Sequence, residues 1–321
     1  MKNKKTEWLN FQTEKGEEIT FPLATVKGFK DGPTLIITAG IHGTEYPGIA
    51  AAIRFFKELN PEKLTGTVKI VTISNIKAFE ERSMFVCPVD NKNLNRVFPG
   101  DKMKSYTDAL AYYLFNEVIL KGDYYIDLHG GDMVESLIPF SIYHKSGKEE
   151  IDKKSLTLAQ CYGLPNIIST TLGGSFSDKG LTYASASEKN IPSIIVEAGE
   201  IGQLDEVSVS MLLNGLYNVC KYLGCIDGEP KKPEKINYYK NFVHIHTPKK
   251  GIFYTKVKIG EQVKKDQIIG IIEDYFGNEV EKIASPITGR VMVLTTSPAV
   301  KDNGVLMGVF DRINLNESCI N

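Results

Sequence analysis

Pro33-Thr34-Leu35-Ile36-Ile37-Thr38-Ala39-Gly40-Ile41-His42-Gly43-Thr44-Glu45-Tyr46-Pro47-Gly48 is a β-branched apolar run that stops at a glycine and turns polar. Leu35–Thr38 reads as a buried strand, because a strand covered on both faces needs no polar alternation. His42 and Glu45 follow at once. An imidazole and a carboxylate three residues apart converge on one ion if the backbone turns between them, and Gly43 permits such a turn. The run Ile49–Phe56 then begins a helix. Strand, polar turn and helix is the arrangement in which α/β sheets keep their chemistry, at the carboxyl ends of the strands. A lone His-x-x-Glu is a weak signal, so a second strand end carries weight. Tyr124-Tyr125-Ile126-Asp127-Leu128-His129-Gly130-Gly131 is another apolar run that ends in a histidine. Catalytic zinc commonly takes three protein ligands, two His and one Glu among the known sets. His42, Glu45 and His129 supply that set, for one zinc per chain.

The rest of the chain limits the alternatives. Its 321 residues suffice for one large domain or two ordinary ones. Apolar residues at 42% and charged residues at 24% match soluble globular proteins. A net charge of −1 gives no electrostatic reason to bind nucleic acid or an anionic membrane. No apolar stretch follows the first lysines, so no signal peptide is expected, and no run approaches the roughly 18 residues needed to span a bilayer. Five cysteines, odd in number and without a Cys-x-x-Cys pair, point to reduced thiols and a cytoplasmic setting.

Alternation of strand and helix continues from the metal turn. Strands are expected over 18–26, 68–74, 124–128, 137–143, 166–170 and 192–196, and helices over 105–120, 149–162, 182–189 and 204–223. That pattern predicts an α/β fold, a mixed sheet flanked by helices. The long irregular stretch 75–103 carries Arg82, Asn93, Asn95 and Arg96 and is expected to be functional. Gly173–Gly180 is expected to be a mobile loop. A Pro- and charge-rich linker over 229–239 then separates a catalytic domain, 1–228, from short strands and glycine turns over 240–321, a smaller all-β module.

Amide hydrolysis assisted by a metal needs a base for the water and donors for the developing oxyanion. Glu197, ending the strand 192–196, is the candidate base, with Glu200 a local competitor. Arg82 and Arg96 are cations suited to a carbonyl oxygen or a carboxylate. His244 and His246 share one strand face and are expected to be packed or solvated, and His144 to lie in a loop. The chain has no Gly-x-Ser-x-Gly elbow, Walker A loop or Gly-x-Gly-x-x-Gly.

His42-Gly43-Thr44-Glu45, Asn93-Leu94-Asn95-Arg96-Val97-Phe98-Pro99-Gly100, Asp127-Leu128-His129 and Val196-Glu197-Ala198-Gly199 occur in that order. This series resembles the succinylglutamate desuccinylase/aspartoacylase family, relatives of the zinc carboxypeptidases. The resemblance implies a zinc carboxypeptidase-like sheet, His42, Glu45 and His129 as zinc ligands, and Glu197 as general base and acid. It implies Asn95 and Arg96 as clamps on the substrate's α-carboxylate, Arg82 as the oxyanion arginine and Tyr183 as a substrate contact. Aspartoacylases are expected to carry an arginine four residues after that tyrosine, to read an acidic side chain. Here that position is Ser187, with Lys179 and Lys189 as the nearby cations.

The motif Asn93–Gly100 looks more like bacterial members, including those similar to N-acetyl-diaminobutyrate deacetylases. The implied activity is a zinc-dependent deacylase of a small N-acyl amino acid. A carboxypeptidase acting on small peptides is the alternative, and a non-catalytic carrier the rival from another class.

The tail resembles a biotinyl/lipoyl-like half-barrel in Thr247–Gly251, Ile259–Gln267 and Ala284–Val291. Its hairpin Glu273–Glu279 has no lysine to modify. A cap over the active-site mouth, or a contact between copies in a homo-oligomer, is therefore expected instead.

Overall fold

The run from Leu35 to Ala39 is buried along its whole length, and its alternate side chains serve two different cores. Leu35 and Ile37 pack with Phe55, Leu212 and Leu216 on one face of the sheet. Ile36 packs with Leu110, Leu114 and Phe115 on the other. A strand buried on both faces is what an unbroken apolar run produces in an α/β sheet. The structure, a computed structural model, describes residues 3–171 and 179–313. The expected loop over 173–178 and Cys319 lie outside them.

In chain order, β1 (Lys4–Gln12), β2 (Glu18–Lys27) and β3 (Lys30–Ala39) precede helix α1 (Tyr46–Glu58), strand β4 (Thr65–Val71) and helices α2 (Ile76–Glu81) and α3 (Tyr106–Glu117). Next come β5 (Tyr124–His129), β6 (Glu135–Leu137), β7 (Phe140–Lys145), α4 (Glu149–Tyr162) and β8 (Asn166–Thr171). Helix α5 (Thr182–Glu188), β9 (Ser193–Glu197) and α6 (Glu206–Tyr222) complete this part. The C-terminal strands are β10 (Asn237–His246), β11 (Gly251–Thr255), β12 (Gln262–Val263) and β13 (Ile268–Glu273). They continue as β14 (Glu279–Ala284), β15 (Gly289–Thr295), β16 (Ala299–Val300) and β17 (Val305–Ile313).

The large sheet runs β1-β2-β4-β3-β5-β9-β7-β8-β10-β17-β15-β12, with β6 added beside β15. Its centre, β4-β3-β5-β9, is parallel, and β7 runs against β9. The expected mixed sheet flanked by helices is therefore observed. A second sheet, β14-β13-β11-β16, encloses its own apolar cluster with β15 and β17. No helix among the described residues is long and apolar enough to cross a membrane.

The expected linker is corrected by the pairing. Asn237, Tyr238 and Tyr239 lie parallel to Asn166, Ile167 and Ile168 of β8, so the last three residues of the supposed linker are sheet. Tyr239, Phe242 and Phe310 share one core cluster with Phe140, Ile168 and Ile195. The C-terminal strands thus continue the large sheet rather than hang from it. Two smaller differences have local causes. The expected strand 137–143 is broken at Ile138-Pro139, where proline removes a ladder donor. His144 lies not in a loop but on β7, fully buried, its Nε2 3.1 Å from Glu188 Oε1.

Gly40 and Gly43 shape the turn after β3 in different ways. Gly40 takes φ +66, the left-handed region open to glycine. Gly43 is needed for space: a Cβ there would lie 2.2 Å from Phe79 N and 2.3 Å from Ala78 C, both backbone atoms of α2. Gly43→Ala must push α2 outward. We expect it to cost about 1–3 kcal/mol or more in denaturant unfolding, as overpacking does, and to disturb the adjoining His42 and Glu45.

Candidate metal and active site

The three parallel strands β3, β5 and β9 lie side by side, and the candidate site residues sit at their carboxyl ends. His129 closes β5 directly opposite Glu197, which closes β9. His42 and Glu45 lie in the turn leaving β3. Helix α1 starts at Tyr46 with Pro47 in its first turn, a position where the missing N–H is harmless. Glu45 occupies the N-cap position but caps nothing with its side chain. That carboxylate is directed to the two histidines instead.

Glu45 Oε1 lies 2.7 Å from His42 Nδ1, and Glu45 Oε2 lies 2.8 Å from His129 Nδ1. The opposite nitrogens are engaged elsewhere. His129 Nε2 is 3.1 Å from Asp127 Oδ2, and His42 Nε2 is 3.1 Å from Asn93 Oδ1. Asp127 is an acceptor, and Asn93 Oδ1 already accepts from the Asn95 N–H, so both Nε2 atoms act as donors. In the neutral imidazoles this leaves a lone pair on each Nδ1, aimed at a carboxylate that is itself acceptor-only. Acceptors gathered this closely need positive charge between them, either protons or one dication. The donor set therefore fits a metal ion, and His42, Glu45 and His129 could hold one.

The electrostatics agree. Burial would raise the Glu45 carboxyl, yet the neighbouring His129 and His42 outweigh it and hold it at about 2. Burial would likewise discharge His129, but Glu45 and Asp127 raise its pKa well above the ordinary value. Glu197 is pushed well above the carboxylate range, first by burial and then by Glu45, Glu135 and Asp127, with His129 opposing. A dication beside it would reverse much of that shift.

Asp127 opens the motif Asp127–His129 but has no role that the sequence alone assigns. It is fully buried and accepts from Thr38 Oγ1 at 2.6 Å and from Thr182 Oγ1. Outer partners of this kind orient a ligand imidazole and are worth about 10–100-fold in metal affinity. Asp127→Asn should weaken metal binding by about that factor, measured by competition with a chelator of known affinity.

His42, Glu45, His129 and Glu197 line a cavity of about 120 Å³, together with Asn95, Arg96 and Tyr183. Asn95 is buried; its Oδ1 accepts from the Thr182 N–H at 2.9 Å, and its Nδ2 lies 3.5 Å from His129 Nε2. Arg96 donates from NH1 to the Asn95 carbonyl at 2.7 Å. Tyr183 is buried on α5, with its hydroxyl 3.1 Å from Thr170 Oγ1. Arg82 is not brought in. It caps α2 in a left-handed conformation with φ 53, its side chain is exposed, and it does not line the cavity. The expected oxyanion role would require an inward turn that the structure does not display. Glu200 is exposed and bonds to Ser136.

Two cavity residues come from unexpected places. Glu135, at the start of β6, faces the same space. His244 on β10 lines it too, with Phe242 and Val293, so the C-terminal strands complete the wall. Burial first, then Arg96 and His246, hold the His244 imidazole at about 3, hence neutral. Its alternation with His246 was visible, but the fold of β10 over the strand ends was not.

The model of the succinylglutamate desuccinylase/aspartoacylase catalytic domain matches residues 31–223, more than half of the chain. The chain belongs to this family. Like it in sequence is the N-alpha-acetyl-L-2,4-diaminobutyric acid deacetylase of Halomonas elongata, 27% identical over 260 residues, covering 80% of this chain and 75% of that protein. Among solved structures, the succinylglutamate desuccinylase/aspartoacylase of Rhodobacter sphaeroides superposes with a TM-score of 0.84 at 22% identity, over 98% of this chain and 96% of that one. The ectoine utilization protein EutE of Ruegeria pomeroyi, in its product-bound form, gives 0.85 at 21%, over 96% and 95%. Both superpositions span the C-terminal strands as well. The family fold therefore extends through the whole described chain.

Proposed function

We propose that this protein is a zinc-dependent deacylase that hydrolyses the amide bond of a small N-acyl amino acid. The observation that carries this reading is the convergence of His42 Nδ1 and His129 Nδ1 on the two Glu45 carboxylate oxygens, beside Glu197 in one cavity. The sequence likeness to the Halomonas deacetylase supports the N-acyl amino acid class.

When bound by His42, Glu45 and His129, zinc supplies Lewis acidity, polarising a carbonyl and making water nucleophilic near neutral pH. Glu197 takes the proton from the attacking water and returns it to the departing amine nitrogen. Arg96 and Asn95 hold the substrate carboxylate at the cavity edge, the guanidinium matching its planar geometry. Phe242, Phe140 and Val293 keep bulk water from the reacting amide. The C-terminal module, in this reading, is a cap on the site and not a carrier.

The test is product release by the zinc-loaded protein from a panel of N-acetyl amino acids and dipeptides. Acetate and free amino acid are expected from the first group. Cleavage of dipeptides alone would select the carboxypeptidase alternative, and no cleavage of either would contradict the proposal.

A further inference from the structure

The stretch that joins α2 to the motif Asn93–Gly100 carries three non-glycine residues in the left-handed region: Arg82 at φ 53, Phe85 at φ 59 and Asn91 at φ 55. The middle one is the outlier. A bulky aromatic is a poor occupant of that region, where Gly and Asn are usual. The Val86 N–H donates to the Met84 carbonyl at 2.6 Å, which closes a three-residue turn centred on Phe85 with its positive φ. Turns of this hand are rare and strained. Such strain persists only where surrounding contacts over-determine it.

One buried carboxylate supplies those contacts. Asp132 is fully buried, and its Oδ2 accepts from the Phe85 N–H at 2.8 Å. Its Oδ1 accepts from the Met133 N–H at 2.6 Å and from the hydroxyl of Thr44, in the turn that carries His42 and Glu45. A single side chain thus fastens the strained turn to the metal turn. The far side is held at Cys87, whose N–H donates to the Lys92 carbonyl and whose carbonyl accepts from the Asn91 N–H, each at 2.8 Å. The outcome is a fixed ring. Phe85 lines the cavity, its ring nearly perpendicular to that of His42, with planes at 78° and centroids 6.2 Å apart.

The sheet order gives that ring a use. Across the strand ends, β3, β5 and β9 present His42 and Glu45, then His129, then Glu197. In the deacylase reading the amine nitrogen departs beside Glu197, at the β9 end. The other substituent of the amide carbon, the acyl chain, then points to the β3 end, where Phe85 stands beside His42. We propose that Phe85 is a specificity-determining residue whose ring closes the space open to the acyl chain, and that Asp132 is the positioning residue that holds it there. This rests on the deacylase reading and adds the group that sets its acyl limit. A glycine would suit the turn better and would leave that space open.

The experiment takes one amino acid that the zinc-loaded protein deacylates and presents it with an acetyl or a hexanoyl group. Wild type, F85A, D132N and F85A/D132N are compared by the ratio of kcat/KM for hexanoyl to that for acetyl. Taken within each protein, the ratio cancels differences in zinc content. Wild type should disfavour hexanoyl by at least about 10-fold, and F85A should recover at least about 10-fold of the ratio, the scale on which a filled pocket discriminates added methylenes. In D132N one acceptor oxygen cannot serve the donors on both sides, so the ratio should rise in the same direction. F85A/D132N should match F85A within about twofold, because Asp132 acts through Phe85 and the two effects do not add. Calorimetry with acetohydroxamate and hexanohydroxamate, which chelate zinc, should give the same ranking without turnover. If F85A fails to fold, F85L takes its place, with a rise expected in the same direction. An unchanged ratio in the folded Phe85 variant, a D132N effect that adds in full to it, or equal use of both acyl groups by wild type would overturn the assignment while leaving the deacylase reading intact. Turnover of no N-acyl amino acid would remove that reading, and the hydroxamate ranking would then decide the role of Phe85 by itself.

Discussion

Glu197→Gln is expected to keep its metal and to lose turnover by about 10²–10⁴-fold, the usual worth of one positioned proton-transfer group. The amide would preserve shape and hydrogen bonding while removing the ability to take and return a proton. Glu197 stands opposite His129 at adjacent strand ends, so the variant should not disturb the three ligands. Its own ionisation is finely set. Burial and three nearby carboxylates push the pKa up, and a dication bound by the neighbouring His42, Glu45 and His129 would pull it down again. A carboxyl held between those influences suits both taking a proton from water and giving one to an amine. Single-turnover kinetics on zinc-loaded protein are the measurement. Near-normal rates in a metal-replete E197Q would show that another group carries the proton.

Glu45→Gln should have the second large effect, on the metal itself. Both carboxylate oxygens of Glu45 face imidazole nitrogens, at 2.7 and 2.8 Å. An amide would offer one weaker acceptor, direct N–H groups at one Nδ1, and withdraw the negative charge. Outer partners alone are worth about 10–100-fold in affinity, so loss of a direct anionic ligand should exceed that. The readout is thermal unfolding with and without zinc. Binding to the folded state at 100 times Kd contributes about 2.7 kcal/mol. Wild type should show the corresponding rise in melting temperature, and E45Q little or none. An equal rise in both would place the ion elsewhere.

Much of this site could be read from strand ends. Three apolar runs each stop at a titratable residue followed closely by glycine, at His42, His129 and Glu197, and the parallel sheet brings those ends together. The period-two and apolar-run signals are local, and the sheet amplifies them into a site. What stayed hidden was non-local or short. Helix α2 spans six residues, Ile76–Glu81, too few for a periodic signal within the stretch 75–103. Helix α1 begins three residues earlier than expected because Pro47 is compatible with a first helical turn.

Glu135 and His244 reached the cavity through pairings that no sequence window contains. Glu135 belongs to a strand of three residues zipped to β15, some 160 positions away, and β10 crosses back beside β8. A Pro-rich stretch reads as a linker from composition, yet its end, Asn237–Tyr239, is held by the edge of a sheet formed by residues 70 positions earlier. Arg82 is the converse case. Motif order brings it to mind, while the left-handed turn at the end of α2 leaves its side chain outside the cavity.

The most direct test of the central claim is metal content joined to activity. Purified protein would be stripped with a chelator, reloaded with zinc and assayed on N-acetyl amino acids at each stage, with His129→Ala treated in parallel. About one zinc per chain, activity that departs and returns with it, and neither in His129→Ala are the predicted results. Hydrolysis that survives complete removal of the metal, or a wild type that takes up no zinc, would contradict the account.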